Sequence, residues 1–286
     1  MYLATTINIF MNHRKTFSVL GTPIDAISWL DALATIAVWA TNRESRVVCI
    51  CNVHSVVTAS QDAEFGRVVN AADMATPDGA PVAWMLRRLG HIEQQRINGP
   101  DLMWRYCDAS QGMDRRAALV MTDGSDGSNE SHRSAIFLYG SSEETLIKLK
   151  AKLLLAFPAL KIAGMSSPPY RTPSLDEDSA TVAEINASGA GVVFVSLGCP
   201  KQELWMAAHR GRIHAVMIGV GAAFDYHAGT IKRAPTWMRD CGLEWLHRLI
   251  SEPRRLWKRY LVTNTLFVLG AAKQLLLEWR KRKSAV

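Results

Sequence analysis

The chain has 286 residues, of which 48% are apolar, and it carries a formal net charge of +7. This length and composition predict a folded globular protein with one large domain or two smaller ones. The five cysteines are widely scattered and form no CxxC pair, which excludes a disulfide framework and a cysteine zinc site and fits a reducing cytoplasm.

The positive charge is concentrated at the C-terminus. From Arg248 to Val286 there are ten basic and two acidic residues, a net charge of +8, whereas the remaining 23 basic and 24 acidic residues give −1. The whole excess of positive charge therefore lies in the tail.

The predicted elements alternate between strands and helices. Residues 1–16 hold an apolar stretch that is too short to span a membrane and lacks a small-residue cleavage site, so we predict an N-terminal extension and no signal peptide. Continuous apolar strands alternating with helices predict an α/β fold with a Rossmann-like parallel sheet. Runs rich in Val, Ile and Leu predict strands at 46–52, 135–140, 191–198 and 215–221. Helices are predicted at 26–41, 82–90, 100–110, 143–157, 177–188 and 201–212.

Two changes in composition mark the domain organisation. Residues 122–134, "TDGSDGSNESHRS", are polar and rich in Gly and Ser, which predicts a flexible loop. After Pro235 the strands stop, and Trp, Arg and Leu dominate to the C-terminus. We therefore predict an α/β core at 17–235 and a helical basic appendage at 236–286.

Polar residues follow several of the apolar runs, where the ligands of open parallel sheets bind. The four positions are Asn52 with His54, Asp78 in "ATPDGAP", Lys201-Gln202-Glu203 after "VSLGCP", and Asp225 in "GVGAAFD". We expect all four to lie along one rim of the sheet.

Asp78 has two interpretations. As an N-cap, its carboxylate accepts backbone N–H bonds at the start of the helix that contains Pro81. As a general base, it faces a cleft and takes a proton from a substrate hydroxyl.

The other polar positions also have alternatives. Lys201 and Gln202 either bind a phosphate or sugar oxygen at a helix start or form an ordinary first helical turn. The glycines before Asp225 indicate either a nucleotide bound by backbone N–H groups or close packing of the chain, and the P-loop and GxGxxG patterns are absent. No ligand spacing supports a metal site.

The tail predicts a helix that Ser251 caps and Pro253 starts, with Arg254/Lys258 and Arg255/Arg259 spaced four residues apart. Trp257, Tyr260 and neighbouring leucines supply an apolar body. This pattern favours a helix lying on an anionic membrane surface. The alternatives are a solvated helix face and a nucleic-acid site, and no RNA-binding signature accompanies the latter.

A membrane span is the other interpretation of residues 261–279. Asn264, Lys273, Gln274 and Glu278 interrupt this apolar stretch, and charges are costly at mid-bilayer. We therefore expect the helix to lie on the membrane and not to cross it.

Four ordered motifs resemble the WecG/TagA/CpsF family of bacterial glycosyltransferases. They are "TPDGAPVAW", "VFVSLGCPKQELWM", "GVGAAFDYHAGTIKRAPTWM" and "GLEWLHRLISEPRRLWKRYL", and the resemblance covers roughly residues 17–262. Their combination in this order is specific, although each motif alone is weak.

The resemblance implies an inverting hexosyltransferase of polysaccharide biosynthesis. It implies a UDP-sugar donor, with glucose, N-acetylmannosamine or its uronic acid as the sugar, and an acceptor saccharide linked to undecaprenyl diphosphate. It also implies activity without a metal or other cofactor, a peripheral location at the cytoplasmic face of the inner membrane, no nucleic-acid partner, and a homo-oligomer as an open alternative.

The resemblance assigns roles by position. Asp78 is similar to the aspartate that is the family's proposed general base, and the substrate-binding set is Asn52, Lys201, Gln202, Asp225, Arg233, Arg248, Arg255 and Lys258. The chain departs from the family pattern at Ile50, where a Thr is common, and at Lys258, where the family has Arg. A protein of a different class, a non-catalytic nucleotide-sugar or lipid-binding component of the assembly machinery, is the alternative function.

Overall fold

The computed structural model describes residues 14–120 and 135–284, and it describes only the backbone at 112–120. The predicted loop at 122–134 and residues 1–13 of the predicted extension lie outside the described residues.

Six strands of the described chain form a parallel sheet in the order β4-β3-β8-β7-β5-β6, and β1 and β2 form a separate antiparallel pair. The strands are β1 (Thr16–Val19), β2 (Thr22–Asp25), β3 (Arg46–Cys51), β4 (Met74–Pro77), β5 (Ile136–Gly140), β6 (Ile162–Ser166), β7 (Val192–Ser196) and β8 (Val216–Gly219). The α/β class and the parallel sheet are thus confirmed, as are the four predicted strands. The sequence missed β4 and β6 because these short strands carry Pro77 and Gly164 and lack a long β-branched run.

Twelve helices connect and follow the strands in the described chain. They are α1 (Trp29–Thr41), α2 (Val53–Gln61), α3 (Ala63–Asn70), α4 (Ala80–Leu89), α5 (Gly99–Val120), α6 (Glu143–Ala156), α7 (Leu175–Ala187), α8 (Lys201–Ala208), α9 (Ala223–Ala228), α10 (Thr236–Asp240), α11 (Glu244–Ser251) and α12 (Pro253–Ser284). All six predicted helices are present, with shifted ends. The sequence missed α2 and α3, although Asn52 and Asp62 cap them with side-chain oxygens.

The chain divides into two compact units. The first contains residues 29–49 and 99–231. Its core is built on the central strands β5, β7 and β8, whose side chains Phe137, Phe194 and Ile218 are fully buried. Tyr106 of α5 packs edge-on against Phe194 with ring centroids 5.9 Å apart. The apolar strands, buried on both faces, explain why the parallel sheet could be predicted.

The second unit contains residues 14–28, 50–98 and 232–284. Residues 232–284 therefore share a compact unit with residues 14–28 and 50–98, and the predicted division at 235 into a core and a helical appendage stays a prediction. The reason is packing, because α12 lies along α2 and buries Leu256, Phe267 and Ala271.

A polar contact fixes α12 along the β1–β2 turn. Gln274 accepts the backbone N–H of Leu20 at 2.9 Å and donates to the carbonyl of Ser18 at 2.6 Å. Pro253 starts α12 as predicted, but Ser251 does not cap it. The Ser251 hydroxyl donates to the carbonyl of His247 within α11, because α11 continues through residue 251.

Candidate functional site

Asp78 follows β4 directly, at the carboxyl end of that strand. Its backbone N–H donates to the carbonyl of Cys51 at 3.0 Å, and its Oδ1 accepts the N–H of Gly79 at 2.6 Å. Gly79, with a φ of +78°, is the N-cap of α4. Asp78 therefore lies one residue before the cap, and the N-cap interpretation fails in position although one backbone N–H bond is made.

The Asp78 carboxyl has a pKa that suits proton transfer near neutral pH. Burial raises the pKa of Asp78 from 3.8 to about 6, although the residue keeps part of its surface exposed. The charge of Arg96 is the largest opposing influence, the charge of Glu244 raises the pKa further, and the Gly79 bond and Arg233 lower it. At pH 7 the carboxylate is therefore mostly ionised. Its pKa lies close to neutral pH, as is typical of an efficient general base.

Glu244 bridges the two arginines that act on Asp78. Its Oε1 lies 3.1 Å from Nε of Arg233, and its Oε2 lies 3.1 Å from a terminal nitrogen of Arg96. A terminal nitrogen of Arg233 also donates to Oδ1 of Asn98 at 3.1 Å. The two arginine side chains are 17% and 18% exposed, so neither is fully buried.

This part of the second unit brings together one residue pair that the sequence predicted, Asp78 and Arg233. Sequence reasoning missed Arg96, Asn98 and Glu244. Arg96 and Asn98 lie in "QQRINGP" and match no motif by themselves, so no signal in the sequence could have found them.

Asn52 and His54 lie at the carboxyl end of β3 in the same unit. Asn52 is the N-cap of α2, and its Oδ1 accepts the N–H of Ser55 at 3.1 Å. Burial, together with the nearby charge of Arg259, lowers the pKa of His54 to about 4. His54 is therefore neutral at physiological pH.

The three tail residues assigned by resemblance occupy different surroundings. Arg248 is partly exposed at the end of α11, and Lys258 is exposed on α12. Arg255 is exposed and forms an ion pair with Glu252 at 2.6 Å. The charges that shift the pKa of Asp78 come from Arg96, Arg233 and Glu244 and not from these three residues.

Gln202 lies in the first unit and is 4% exposed. Its Oε1 accepts the N–H of Gly221 at 3.1 Å, and its Nε2 donates to Oε1 of Glu203 at 2.9 Å. The hydroxyl of Ser196 donates to the carbonyl of Gly221 at 2.7 Å. The N–H and the carbonyl of Gly221 are thus both bound by side chains, which holds this turn in place.

The remaining predicted residues of the first unit differ in exposure. Lys201, the first residue of α8, is exposed. Asp225 is partly buried in the first turn of α9, and its Oδ1 accepts the hydroxyl of Thr230 at 3.3 Å. Burial raises the pKa of Glu203, a residue that is 1% exposed.

The described residues hold no cluster of three or more His, Cys, Asp or Glu side chains that could bind a metal ion. The cationic groups that could neutralise a phosphate are instead arginines, namely Arg96, Arg233 and Arg259. Arginine suits this task because its planar donors match phosphate oxygens.

The outward face of α12 is apolar. Leu261, Val268 and Leu269 are 63%, 64% and 63% exposed, and the last turn carries Lys281, Arg282 and Lys283. By length and composition alone, α12 could cross a membrane, and it is the single helix of the described chain that passes this test. A long apolar face with basic residues weakly suggests membrane association.

One comparison with known proteins bears on this site. The family model described as the glycosyl transferase WecG/TagA/CpsF family matches residues 17–281, nearly the whole chain. The match includes both compact units, with Asp78, Arg96, Arg233, Gln202 and the first 29 residues of α12.

Proposed function

The chain belongs to the WecG/TagA/CpsF family of glycosyltransferases, and we propose that it transfers a sugar, with inversion, from a UDP-sugar to a hydroxyl of an undecaprenyl-diphosphate-linked saccharide. Family membership supports a glycosyltransferase of polysaccharide biosynthesis with a nucleotide-sugar donor and a saccharide acceptor. The observation that carries the finer proposal is the Asp78 carboxyl at the end of β4, whose pKa burial raises to about 6 against the opposing charges of Arg96 and Arg233.

Asp78 is the general base of the proposed reaction. Its carboxylate accepts the proton of the acceptor hydroxyl while that oxygen bonds to the anomeric carbon of the donor sugar. The bond from the anomeric carbon to the diphosphate breaks, and UDP departs with the bonding electron pair. Attack from the face opposite the UDP inverts the anomeric configuration, so an α-linked donor gives a β-linkage.

The leaving diphosphate gains negative charge as the bond breaks, and fixed cations lower the energy of that state. Arg233 supports this role because it keeps 17% of its side chain exposed while Glu244 orients its guanidinium. Arg248, Arg255 and Lys258 are proposed contacts of the nucleotide or of the lipid diphosphate, and the exposure of Arg255 and Lys258 fits a ligand that arrives from outside.

The substrate-binding role of the remaining residues follows from their positions after strands. Asn52 follows the last residue of β3 and caps α2 with its Oδ1. Gln202 holds the Gly221 turn, Lys201 is exposed beside it in the chain, and Asp225 lies in the helix that follows that turn. Each of these residues, Asn52 in the second unit and Lys201, Gln202 and Asp225 in the first, is a proposed substrate contact.

Membrane association is the second part of the proposal. The exposed leucines and valine of α12 give an apolar face, and the +8 charge of residues 248–286 favours anionic headgroups, each Lys or Arg contributing about 1 kcal/mol near the surface. In this proposal the protein is a peripheral membrane protein, and it binds the lipid-linked acceptor at the cytoplasmic face of the inner membrane.

The test is UDP release from a panel of UDP-sugars, with a short-chain lipid-diphosphate disaccharide as acceptor. Asp78→Asn should reduce turnover by about two to four orders of magnitude while UDP still binds. The matched control is Asp62→Asn, because exposed Asp62 caps α3 and Asn serves as well at an N-cap. An Asp78→Asn variant with full activity would show that Asp78 is not the base, and a wild-type protein that binds UDP without transferring any sugar would support the non-catalytic alternative.

A further inference from the structure

Glu203 is a buried carboxyl that the proposed reaction does not use. It is the third residue of α8 and is 1% exposed. Its Oε1 accepts the Nε2 group of Gln202 at 2.9 Å, and the thiol of Cys199 also interacts with the carboxyl. Its Oε2 is buried and has no hydrogen-bond partner within residues 14–120 and 135–284. Because an ionised carboxylate is costly in such surroundings, burial raises the pKa of Glu203, and the neutral form still offers Oε1 to Gln202.

The bond to Glu203 decides which way the Gln202 amide points. The N–H of Gly221 is a donor, so it requires the amide oxygen, which accepts it at 3.1 Å. The Nε2 group of Gln202 then requires an acceptor on its other side, and Oε1 of Glu203 is that acceptor. Without it, either Nε2 is buried without a partner or the amide turns over and presents a donor to the Gly221 N–H. Glu203 therefore fixes the orientation on which the Gly221 bond depends.

The Gly221 turn lies at the carboxyl end of β8, where ligands of parallel sheets bind. Gly221 has a φ of +57°, and a Cβ built on it would meet no atom of the described chain within 4 Å. A glycine with open space above it lets a ligand approach the backbone closely. The turn leads into α9, which carries Asp225 in its first turn. The position of the Gly221 peptide therefore affects how a ligand can bind along this edge.

Gly219 gives the Gln202 amide its space. A Cβ at Gly219 would lie 2.9 Å from Nε2 of Gln202 and 2.9 Å from Cε of Met206. Both atoms are the far ends of flexible side chains, so an alanine at this position can be accommodated if they move. Gly219→Ala therefore displaces the Gln202 amide by a route that leaves Glu203 in place.

We propose that Glu203 is a positioning residue for donor binding: it orients the Gln202 amide and thereby sets the Gly221 peptide against which the UDP group binds. This inference rests on the proposed function, which assigns Gln202 and Asp225 to the substrate. Glu203 itself contacts no substrate, and its charge is not among those that shift the pKa of Asp78. Its loss should therefore weaken donor binding and leave the chemical step in place.

The test is isothermal titration of the full-length protein with UDP, together with kcat and KM for the UDP-sugar. Glu203→Leu should weaken UDP binding and raise KM about tenfold, while kcat changes less than about threefold. Glu203→Gln supplies an acceptor oxygen again and should restore most of the UDP affinity. Gly219→Ala should weaken UDP binding as Glu203→Leu does. The acid limb of kcat/KM should keep its wild-type position in all three variants.

The matched control is Ile185→Ala, which shortens a buried side chain of α7 in the same unit. The cavity lowers the stability of the fold but should change the UDP affinity less than about twofold, since α7 carries no proposed substrate contact. Equal weakening by Ile185→Ala and Glu203→Leu would show that Glu203 acts through stability alone. The proposal is also wrong if folded Glu203→Leu binds UDP as the wild type does, or if Glu203→Gln loses as much affinity as Glu203→Leu.

Two further results separate this proposal from folding and from catalysis. Addition of UDP to the wild-type protein should shift the NMR signals of the Gly221 backbone amide and the Gln202 side-chain amide. Unmoved signals would contradict the proposal even if the variants fail to fold. A wild-type protein that binds UDP, with weaker binding in Glu203→Leu, but transfers no sugar would refute the proposed function and leave the positioning role in place.

Discussion

The backbone N–H of Asp78 donates to the carbonyl of Cys51 at 3.0 Å, so the residue after β4 is fixed to the last residue of β3. This bond holds the backbone of Asp78 against Cys51, the residue that precedes Asn52 in the chain, and the Asp78 carboxylate accepts the N–H of Gly79 at 2.6 Å. A carboxylate held by its own backbone keeps its position when a substrate arrives, which is the property that a general base requires.

The first prediction concerns the pH dependence of sugar transfer. Because the pKa of Asp78 is raised to about 6, kcat/KM should fall below about pH 6 as the base becomes protonated. Arg96→Met removes the largest influence that lowers this pKa, so the acid limb should move upward by about one pH unit. The measurement is the pH profile of kcat/KM, with exposed Arg88→Met as the control that leaves the limb in place.

The second prediction concerns stability. The folded-state pKa of Asp78 lies above its ordinary value of 3.8, so ionisation of this carboxyl destabilises the folded protein. The penalty is absent below about pH 4, grows between pH 4 and 6, and is complete above pH 6. Asp78→Asn should therefore raise the free energy of unfolding at pH 8 by about 1 to 3 kcal/mol. Urea unfolding of both proteins at pH 8 and pH 4 checks this, and an equal gain at both pH values would contradict it.

The third prediction concerns Gln202. Gln202→Leu leaves the N–H of Gly221 and the carboxyl of Glu203 without their present partner in a buried region. The free energy of unfolding should fall by about 1 to 3 kcal/mol. The control is Lys201→Leu, because the adjacent side chain is exposed. Equal stability of the two variants in urea would show that the Gln202 amide does not hold the turn.

The fourth prediction concerns the outward face of α12. Replacing exposed Leu261 and Val268 together by Ser should weaken binding to anionic vesicles by about one to two orders of magnitude, because two apolar side chains no longer enter the lipid. Leu155→Ser on α6 is the control, since Leu155 is 83% exposed in the first unit. Co-sedimentation with vesicles measures the effect. Full binding by the double variant would show that this face of α12 does not contact the membrane.

Truncation of α12 is a less specific experiment than these point substitutions. The helix buries Leu256, Phe267 and Ala271 against its own unit, and Gln274 binds the β1–β2 turn. Its removal would expose the apolar surface beneath it, so a lost activity could reflect unfolding of the second unit.

The parallel sheet was predictable because its signal is local. The apolar runs at Val192–Ser196 and Ile136–Gly140 are buried on both faces, and this requirement leaves a continuous apolar pattern in the sequence. The hairpin β1–β2 and the short strand β4 carry no such pattern. β1 and β2 pair with each other locally, but each has only four residues. β4 lies beside β3, from which two helices separate it in the chain, and periodicity does not report such a pairing.

The candidate site was predictable only in part. Asp78 and Asn52 could be found because each follows a strand, and parallel strands present their carboxyl ends to ligands. Arg96 and Glu244 belong to separate segments of the chain, and their charges act on Asp78. No spacing in the sequence predicts that these residues come together. Gln202 was predicted to contact substrate, which stays a prediction, but the hydrogen bond between its Oε1 and the N–H of Gly221 could not be predicted because it depends on the direction of the side chain.

The sequence by itself determined the α/β class, the positions of polar residues after the strands, and the concentration of positive charge in the tail, because each is a property of neighbouring residues. Only the tertiary structure decided which charges act together. Successive residues of a helix point about 100° apart, and with α12 docked on α2 the charge of half-buried Arg259 lowers the pKa of His54, whereas the adjacent Lys258 is exposed. The same docking places the basic tail within a compact unit, since the burial of Leu256, Phe267 and Ala271 stabilises it there despite its separation in the chain.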